Sequence, residues 1–107
     1  PWGSYQVIFE YPGVKIKILN VNPQSSLSLQ SHEKRDEYWQ IISGEASIIK
    51  DASVIKLEKN GTLHIPPKTK HRISNNTDQA LMILETQTGD YLEEDDIIRY
   101  EDIYNRV

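Results

Sequence analysis

Apolar and polar residues alternate along most of this chain with a period of two, the signature of extended strands with one face buried. In "VKIKILNV" (14–21), Val14, Ile16 and Ile18 fall on one face and Lys15 and Lys17 on the other, which predicts a half-buried strand with its aliphatic side inward. Similar short runs recur at 5–10, 26–32, 37–43, 45–50, 53–58, 62–65, 70–74 and 80–87. Turn signals separate them: Pro12-Gly13, Asn22-Pro23, Ser43-Gly44, Asn60-Gly61, Pro66-Pro67 and Asn75-Asn76. About nine short strands without a long helical pattern predict an all-β sandwich or barrel.

The last stretch departs from this rhythm. "EEDDIIRYEDIYNRV" (93–107) offers Asp95 or Asp96 as an N-cap, followed by Ile97, Ile98 and Tyr104 at roughly helical spacing, and predicts a short C-terminal helix or turn. The acidic cluster from Glu93 to Asp96 reads as a solvated cap.

Composition narrows the class. A chain of 107 residues with 37% hydrophobic and 26% charged residues suits a single globular domain over 1–107. The formal net charge of -4 argues against an electrostatic grip on nucleic acid. No apolar run is long enough to span a bilayer, so no membrane partner is expected. Without cysteine there is neither a disulfide nor a thiolate metal site, and a cytoplasmic setting is expected. The chain begins with Pro1, as a domain cut from a longer protein would.

The unusual polar residues sit in "LSLQSHEKRDEYWQIISGEA" (27–46). Gln30 and His32 share one strand face and Leu27 and Leu29 the other, since residues two apart point the same way. Residues 33–36 are all charged and read as a turn, so a hairpin would bring Glu37 back beside His32. His71, in "IPPKTKHRISN", could complete a four-residue shell. Imidazole and carboxylate are ordinary ligands of zinc and other first-row ions, and an amide oxygen is a neutral hard donor. The residues alone leave a second reading open: His32 caps a turn, Glu37 pairs with Lys34 or Arg35, and Gln30 faces water.

These residues lie in two stretches that resemble the motifs of cupins. The first falls on Gln24, Gln30, His32, Glu37 and Gly44, the second on Gly61, Pro66, His71 and Asn75. More narrowly, "PWGSY" at 1–5, "VNP" at 21–23, "SLSLQ" at 26–30, "EYW" at 37–39, "IPPKTKHRI" at 65–73 and "GDYLEEDDIIRYED" at 89–102 resemble the type II mannose-6-phosphate isomerase domain. That domain is the C-terminal cupin of bifunctional mannose-1-phosphate guanylyltransferase/mannose-6-phosphate isomerases. The resemblance implies a jelly-roll barrel and one divalent metal on Gln30, His32, Glu37 and His71. Zinc is the expected metal, with manganese, cobalt or nickel as alternatives. It also implies a role in GDP-mannose biosynthesis and a guanylyltransferase domain in the parent protein. The chain departs from the family at Gln24 and Lys68, where glycine is usual, and at Lys34 and Tyr38, where histidine is usual.

The implied reaction interconverts mannose 6-phosphate and fructose 6-phosphate through an enediolate, with a base moving a proton between C2 and C1. Glu85 interrupts the apolar run "ALMILETQ" and is a candidate base if it faces the interior. Lys70, beside His71, is a second candidate. Arg35, Lys70 and Arg99 are candidates for the phosphate. His64 is expected to be structural or exposed, and Trp2 and Trp39 to belong to the core. An exposed edge strand would invite pairing into a homodimer. Two rivals stand beside the isomerase: a non-catalytic sugar- or metal-binding cupin module, and another cupin enzyme, acting on a sugar nucleotide or using iron and oxygen.

Overall fold

The computed structural model describes residues 1–101, and these fold into eleven strands with no helix among them. In chain order they are β1 (Gly3–Tyr11), β2 (Val14–Val21), β3 (Ser25–Ser26), β4 (Leu29–Ser31), β5 (Asp36–Ser43), β6 (Ala46–Lys50), β7 (Ser53–Leu57), β8 (Thr62–Ile65), β9 (His71–Asn75), β10 (Leu81–Thr88) and β11 (Ile98–Glu101). One sheet runs β1-β2-β10-β5-β8 and the other β11-β4-β9-β6-β7, with β3 also paired to β9. Every pairing is antiparallel.

The two sheets bury their facing sides against each other. Leu19, Val21, Ile41 and Ile83 come from the first sheet and Ala46, Ile48 and Ile73 from the second, all in one apolar cluster. Each buried leucine, isoleucine or valine side chain contributes roughly 1.5–3 kcal/mol through removal from water, and Ala46 less. Strict alternation makes this layer. On β10, Leu81, Ile83, Glu85 and Gln87 are buried and the residues between them are half-buried.

The same alternation corrects one expectation. On β2 the buried residues are Lys17, Leu19 and Val21, while Ile16 and Ile18 are half-buried and Asn20 is exposed. The lysine face therefore points inward. Leu19 and Val21, in phase with Lys17, carried that information, and they outweigh the pair of isoleucines because they continue the strand into the apolar cluster.

The C-terminal expectation also changes. Ile98–Glu101 is a strand paired with β4, not part of a helix. Residues 102–107 lie outside the described residues, Tyr104 among them. The run 26–32 divides into β3 and β4, broken at Leu27 and Ser28.

Two of the departures from the family's glycines fall at left-handed backbone. Gln24 has φ 54° and Lys68 has φ 66°. This region costs a residue with a Cβ roughly 1–2 kcal/mol. Gln24 recovers part of the cost, because its amide donates to Asp78 Oδ1 at 3.2 Å and to the Asn76 carbonyl at 3.3 Å. Lys68 has an exposed side chain, and its backbone N–H donates to the His32 carbonyl at 2.7 Å. Lys68→Gly is expected to raise stability by about 0.5–1 kcal/mol, the relieved strain less the added freedom of the unfolded chain. Chemical denaturation checks this, and unchanged or lower stability would show that no strain is stored there. Gly44 needs to be glycine: its φ is 88°, and a Cβ would sit 2.6 Å from the Ala80 carbonyl oxygen.

Candidate metal centre and active site

Three elements bring the expected ligands together. Gln30 lies on β4 directly opposite His71, the first residue of β9, so the two share a face of the second sheet. His32 follows β4 immediately. Glu37 is on β5, in the opposite sheet, buried in phase with Trp39 and Ile41. His32 and Glu37 are neighbours as expected, but no hairpin makes them so. The charged segment between them crosses from one sheet to the other, and the closure of the barrel sets their distance.

His32 Nε2 is 3.4 Å from Glu37 Oε2, and His71 Nε2 is 3.4 Å from Glu37 Oε1. One ligand atom from each of the three residues lies within 4.8 Å of the others, and all three residues are buried. The outer nitrogens are held by backbone: His32 Nδ1 lies 2.6 Å from the Asp96 carbonyl and His71 Nδ1 lies 2.9 Å from the Thr69 carbonyl. A carbonyl only accepts, so each Nδ1 carries the proton and each Nε2 turns a lone pair inward. Burial, assisted by the Arg35 charge, lowers the His32 pKa to about 4, and burial likewise lowers that of His71. Burial pushes Glu37 up, against the pull of Arg35.

Two imidazole lone pairs thus face one carboxylate, and the Arg35 Nη2 group lies beside them, 3.3 Å from His32 Nε2. Such an electron-rich cluster is what a divalent cation satisfies, and the donor types fit one. Gln30 Nε2 donates to Ser28 Oγ at 2.9 Å, which leaves the amide oxygen as its available donor atom. The alternative pairing read from the sequence is also present in part. Arg35 Nε and Nη2 donate to Glu37 Oε2 at 2.9 and 2.8 Å. This ion pair orients the carboxylate from one side while Oε1 faces His71.

The cluster opens into a cavity of about 220 Å³, lined among others by Trp2, Lys17, Trp39, Glu85, Glu94 and Arg99. Leu27, Ser28 and Gln30 also line it, so Leu27 does not lie opposite Gln30 as a continuous strand would require; the break at 27–28 turns both inward. Glu85 is 6% exposed. Its Oε1 accepts from Trp39 Nε1 at 3.0 Å and its Oε2 from Gln87 Nε2 at 2.9 Å. Burial first, then the nearby Glu37 charge, raises its pKa to about 7.

Arg35 and Arg99 line the cavity, but Lys70 does not. Lys70 is exposed and its ammonium lies 4.3 Å from the centre of the Tyr100 ring. His64 is exposed, 2.7 Å from Asp36 Oδ1 and stacked on Tyr38. Tyr38 and Lys34, which replace the family's usual histidines, are both exposed and outside the cavity lining, with the Lys34 ammonium over the Tyr91 ring. Trp39 and Trp2 pack with the core, and each also forms cavity wall.

Sequence reasoning missed Lys17, Glu94 and Asp96. The acidic cluster is only partly a solvated cap. Asp96 is buried, and its carboxylate accepts from the backbone N–H groups of Glu33 and Lys34 at 2.9 and 3.0 Å. Glu94 is paired with Lys17.

Two facing antiparallel sheets closed around an interior His-Glu-His cluster define a cupin, the double-stranded β-helix. The family model for "Mannose-6-phosphate isomerase C-terminal" matches residues 1–102, and the chain belongs to that family. It is 42% identical over 106 residues to the alginate biosynthesis protein AlgA of Pseudomonas putida, covering 99% of this chain and 22% of that protein. It is 36% identical over 107 residues to the mannose-1-phosphate guanylyltransferase ManC of Salmonella typhimurium, covering 100% of this chain and 22% of that protein. The chain therefore spans under a quarter of the length of these curated relatives. Among solved structures it resembles a double-stranded β-helix protein of Klebsiella pneumoniae, with TM-score 0.81, 16% identity and coverage of 94% of this chain and 80% of that one. It also resembles the oxalate decarboxylase of Lactobacillus farciminis, with TM-score 0.78, 19% identity and coverage of 92% and 31%. These structural likenesses concern the fold alone. Among the described residues no helix is long and apolar enough to cross a membrane.

Proposed function

We propose that this chain is a metal-dependent aldose–ketose isomerase that interconverts mannose 6-phosphate and fructose 6-phosphate. One observation carries the reading. A cluster suited to a cation and a buried carboxyl that exchanges its proton near neutrality face the same small cavity. An isomerase needs both, and a purely structural metal site needs only the first.

His32, Glu37 and His71, with the Gln30 amide oxygen, would hold the metal, and zinc suits this donor set. A bound divalent cation would polarise the sugar oxygens and disperse the negative charge of the enediolate. Glu85, as carboxylate, takes the C2 proton and returns it at C1 as the acid. A pKa of about 7 leaves both forms populated at neutral pH, which is where general acid–base catalysis works best. Trp39 Nε1 and Gln87 Nε2 fix the carboxyl plane so that its free lone pairs stay oriented. Lys70, turned to Tyr100, takes no part.

The small share of the relatives' length that this chain covers, and the guanylyltransferase named in one of them, support fusion to such a domain in the parent protein. β1 ends its sheet with Val7, Ile8 and Phe9 exposed, which supports pairing with a second copy into a homodimer.

The test is turnover. The zinc-loaded protein, given mannose 6-phosphate, is expected to form fructose 6-phosphate, and the chelated protein is not. Binding of the sugar phosphate without conversion would replace the isomerase with a non-catalytic module. Oxygen uptake with iron in place of zinc would replace it with an oxygenase.

A further inference from the structure

Beside the metal cluster, the wall of the cavity carries buried cationic donors that its partners do not all satisfy. Lys17 is 4% exposed and Arg35 is 6% exposed. The only carboxylate hydrogen-bonded to Lys17 Nζ among the described residues is Glu94. Two of Arg35's nitrogens are taken by Glu37; the third, Nη1, is buried with no hydrogen-bond partner among the described residues and lies 3.9 Å from Glu94 Oε2. Arg99 Nε, on the same cavity, is likewise buried and unpartnered among the described residues. Glu37 and Glu94 thus serve the two buried cations, and Arg35 Nη1 and Arg99 Nε are left over as donors.

The Glu94 carboxylate is poorly rooted. Glu94 is 49% exposed and sits in a turn of the segment 89–97, which has no strand or helix. The segment is strapped across the cavity at both sides of Glu94. Lys15 Nζ donates to the Leu92 carbonyl at 2.7 Å, and Asp96 is anchored on the loop at Glu33 and Lys34. Glu94 can therefore swing out while Asp96 keeps its hold on His32.

We propose that Lys17 and Arg35 form an anion subsite for a phosphate monoester, and that Glu94 is a carboxylate latch occupying it until the ligand's phosphate takes its place. A phosphate offers three acceptor oxygens and close to two negative charges, so it satisfies Lys17 Nζ and Arg35 Nη1 together, with Arg99 Nε available as a further donor. The position suits a substrate that also reaches the metal. Lys17 lies opposite Glu85, and Glu85 opposite Trp39, so the subsite, the candidate base and the strand of Glu37 form one row across the sheet. Strands are ~5 Å apart, which places Lys17 about 10 Å from the strand of Glu37, within the span of a hexose phosphate. The inference rests on the isomerase reading for the identity of the ligand as a sugar phosphate.

Calorimetry on the intact metal-loaded protein tests the latch, with inorganic phosphate and mannose 6-phosphate as ligands and mannose as the phosphate-free arm. Glu94→Gln weakens the internal competitor, so phosphate is expected to bind roughly tenfold tighter. Lys17→Met is expected to lose at least about tenfold for both phosphates and to leave mannose unaffected. Phosphate is expected to increase amide exchange over residues 90–95 of the unaltered protein. Unchanged or weaker phosphate binding by Glu94→Gln, or exchange that phosphate does not alter, would overturn the latch. Glu94 is half-exposed, so its variant carries the test if Lys17→Met does not fold. Neither readout needs turnover. A protein that shows the latch but no isomerisation would sink the isomerase reading alone, and one that isomerises with phosphate binding indifferent to Glu94 would sink the latch alone.

Discussion

Glu85→Gln is expected to lower the isomerisation rate by about 10²–10⁴-fold while the protein keeps its metal. Glutamine preserves the shape and an oxygen for the Trp39 N–H, but it cannot carry the proton between C2 and C1. Glu85 is not among the three clustered ligand residues, so metal content measured by atomic absorption should match that of the unaltered protein. Loss of metal together with activity would make Glu85 a structural support rather than the base. The same substitution has an opposite effect on stability, and the sign follows from the ionisation. The folded-state pKa of about 7 lies above the ordinary glutamate value of 4.5, so the charged carboxylate is disfavoured by folding. That penalty is absent below pH 4.5, grows as the pH rises, and is complete above about 7. Metal-stripped Glu85→Gln should therefore match the unaltered protein at low pH and exceed it by up to about 3 kcal/mol at pH 8. Denaturation at the two pH values decides it. A catalytic carboxyl held at a cost to the fold is what a functional site, rather than a core, would contain.

His71→Ala and His32→Ala are each expected to weaken metal binding by more than ~100-fold and to remove activity with it. Each substitution takes one of two inward-facing Nε2 donors from a cluster that has three strong ligands. The loss should appear also as a loss of metal-dependent thermal stabilisation, since a ligand that binds only the folded state stabilises in proportion to the logarithm of its concentration over Kd. Metal retained at full affinity by either variant would show that the cation sits elsewhere. Acidification provides a complementary check. With the His32 pKa at about 4 and that of His71 also lowered, the imidazoles do not compete for protons near 6.5, where free histidine would. Metal release on acidification should therefore begin well below pH 6.5. Release centred near the ordinary histidine range would contradict the buried neutral pair.

The site was legible to different depths. The types and spacing of Gln30, His32, Glu37 and His71 pointed to a cation, and the motif resemblance assigned them one role. Glu85 stood out because a carboxylate in an apolar strand has either a partner or a purpose. Lys17 and Glu94 did not stand out. Lys17 was read outward from its two isoleucine neighbours, and Glu94 was one of four acidic residues in a run that looked uniformly solvated. Their pairing joins positions 77 apart in sequence, and no local pattern reports a contact of that range.

By itself, the order of residues along this chain determined an all-β architecture, the approximate limits of most strands and the identity of the metal-ligand candidates, because period-two alternation, turn residues and ligand chemistry are local properties. The tertiary structure alone decided which face of β2 is inside, that the C-terminal stretch through Glu101 adds a strand, and that His32 meets Glu37 across two sheets instead of along a hairpin. It also decided which charges share the cavity. Those outcomes depend on how two twisted sheets close on each other, and burial, desolvation and distance exist only once they have closed.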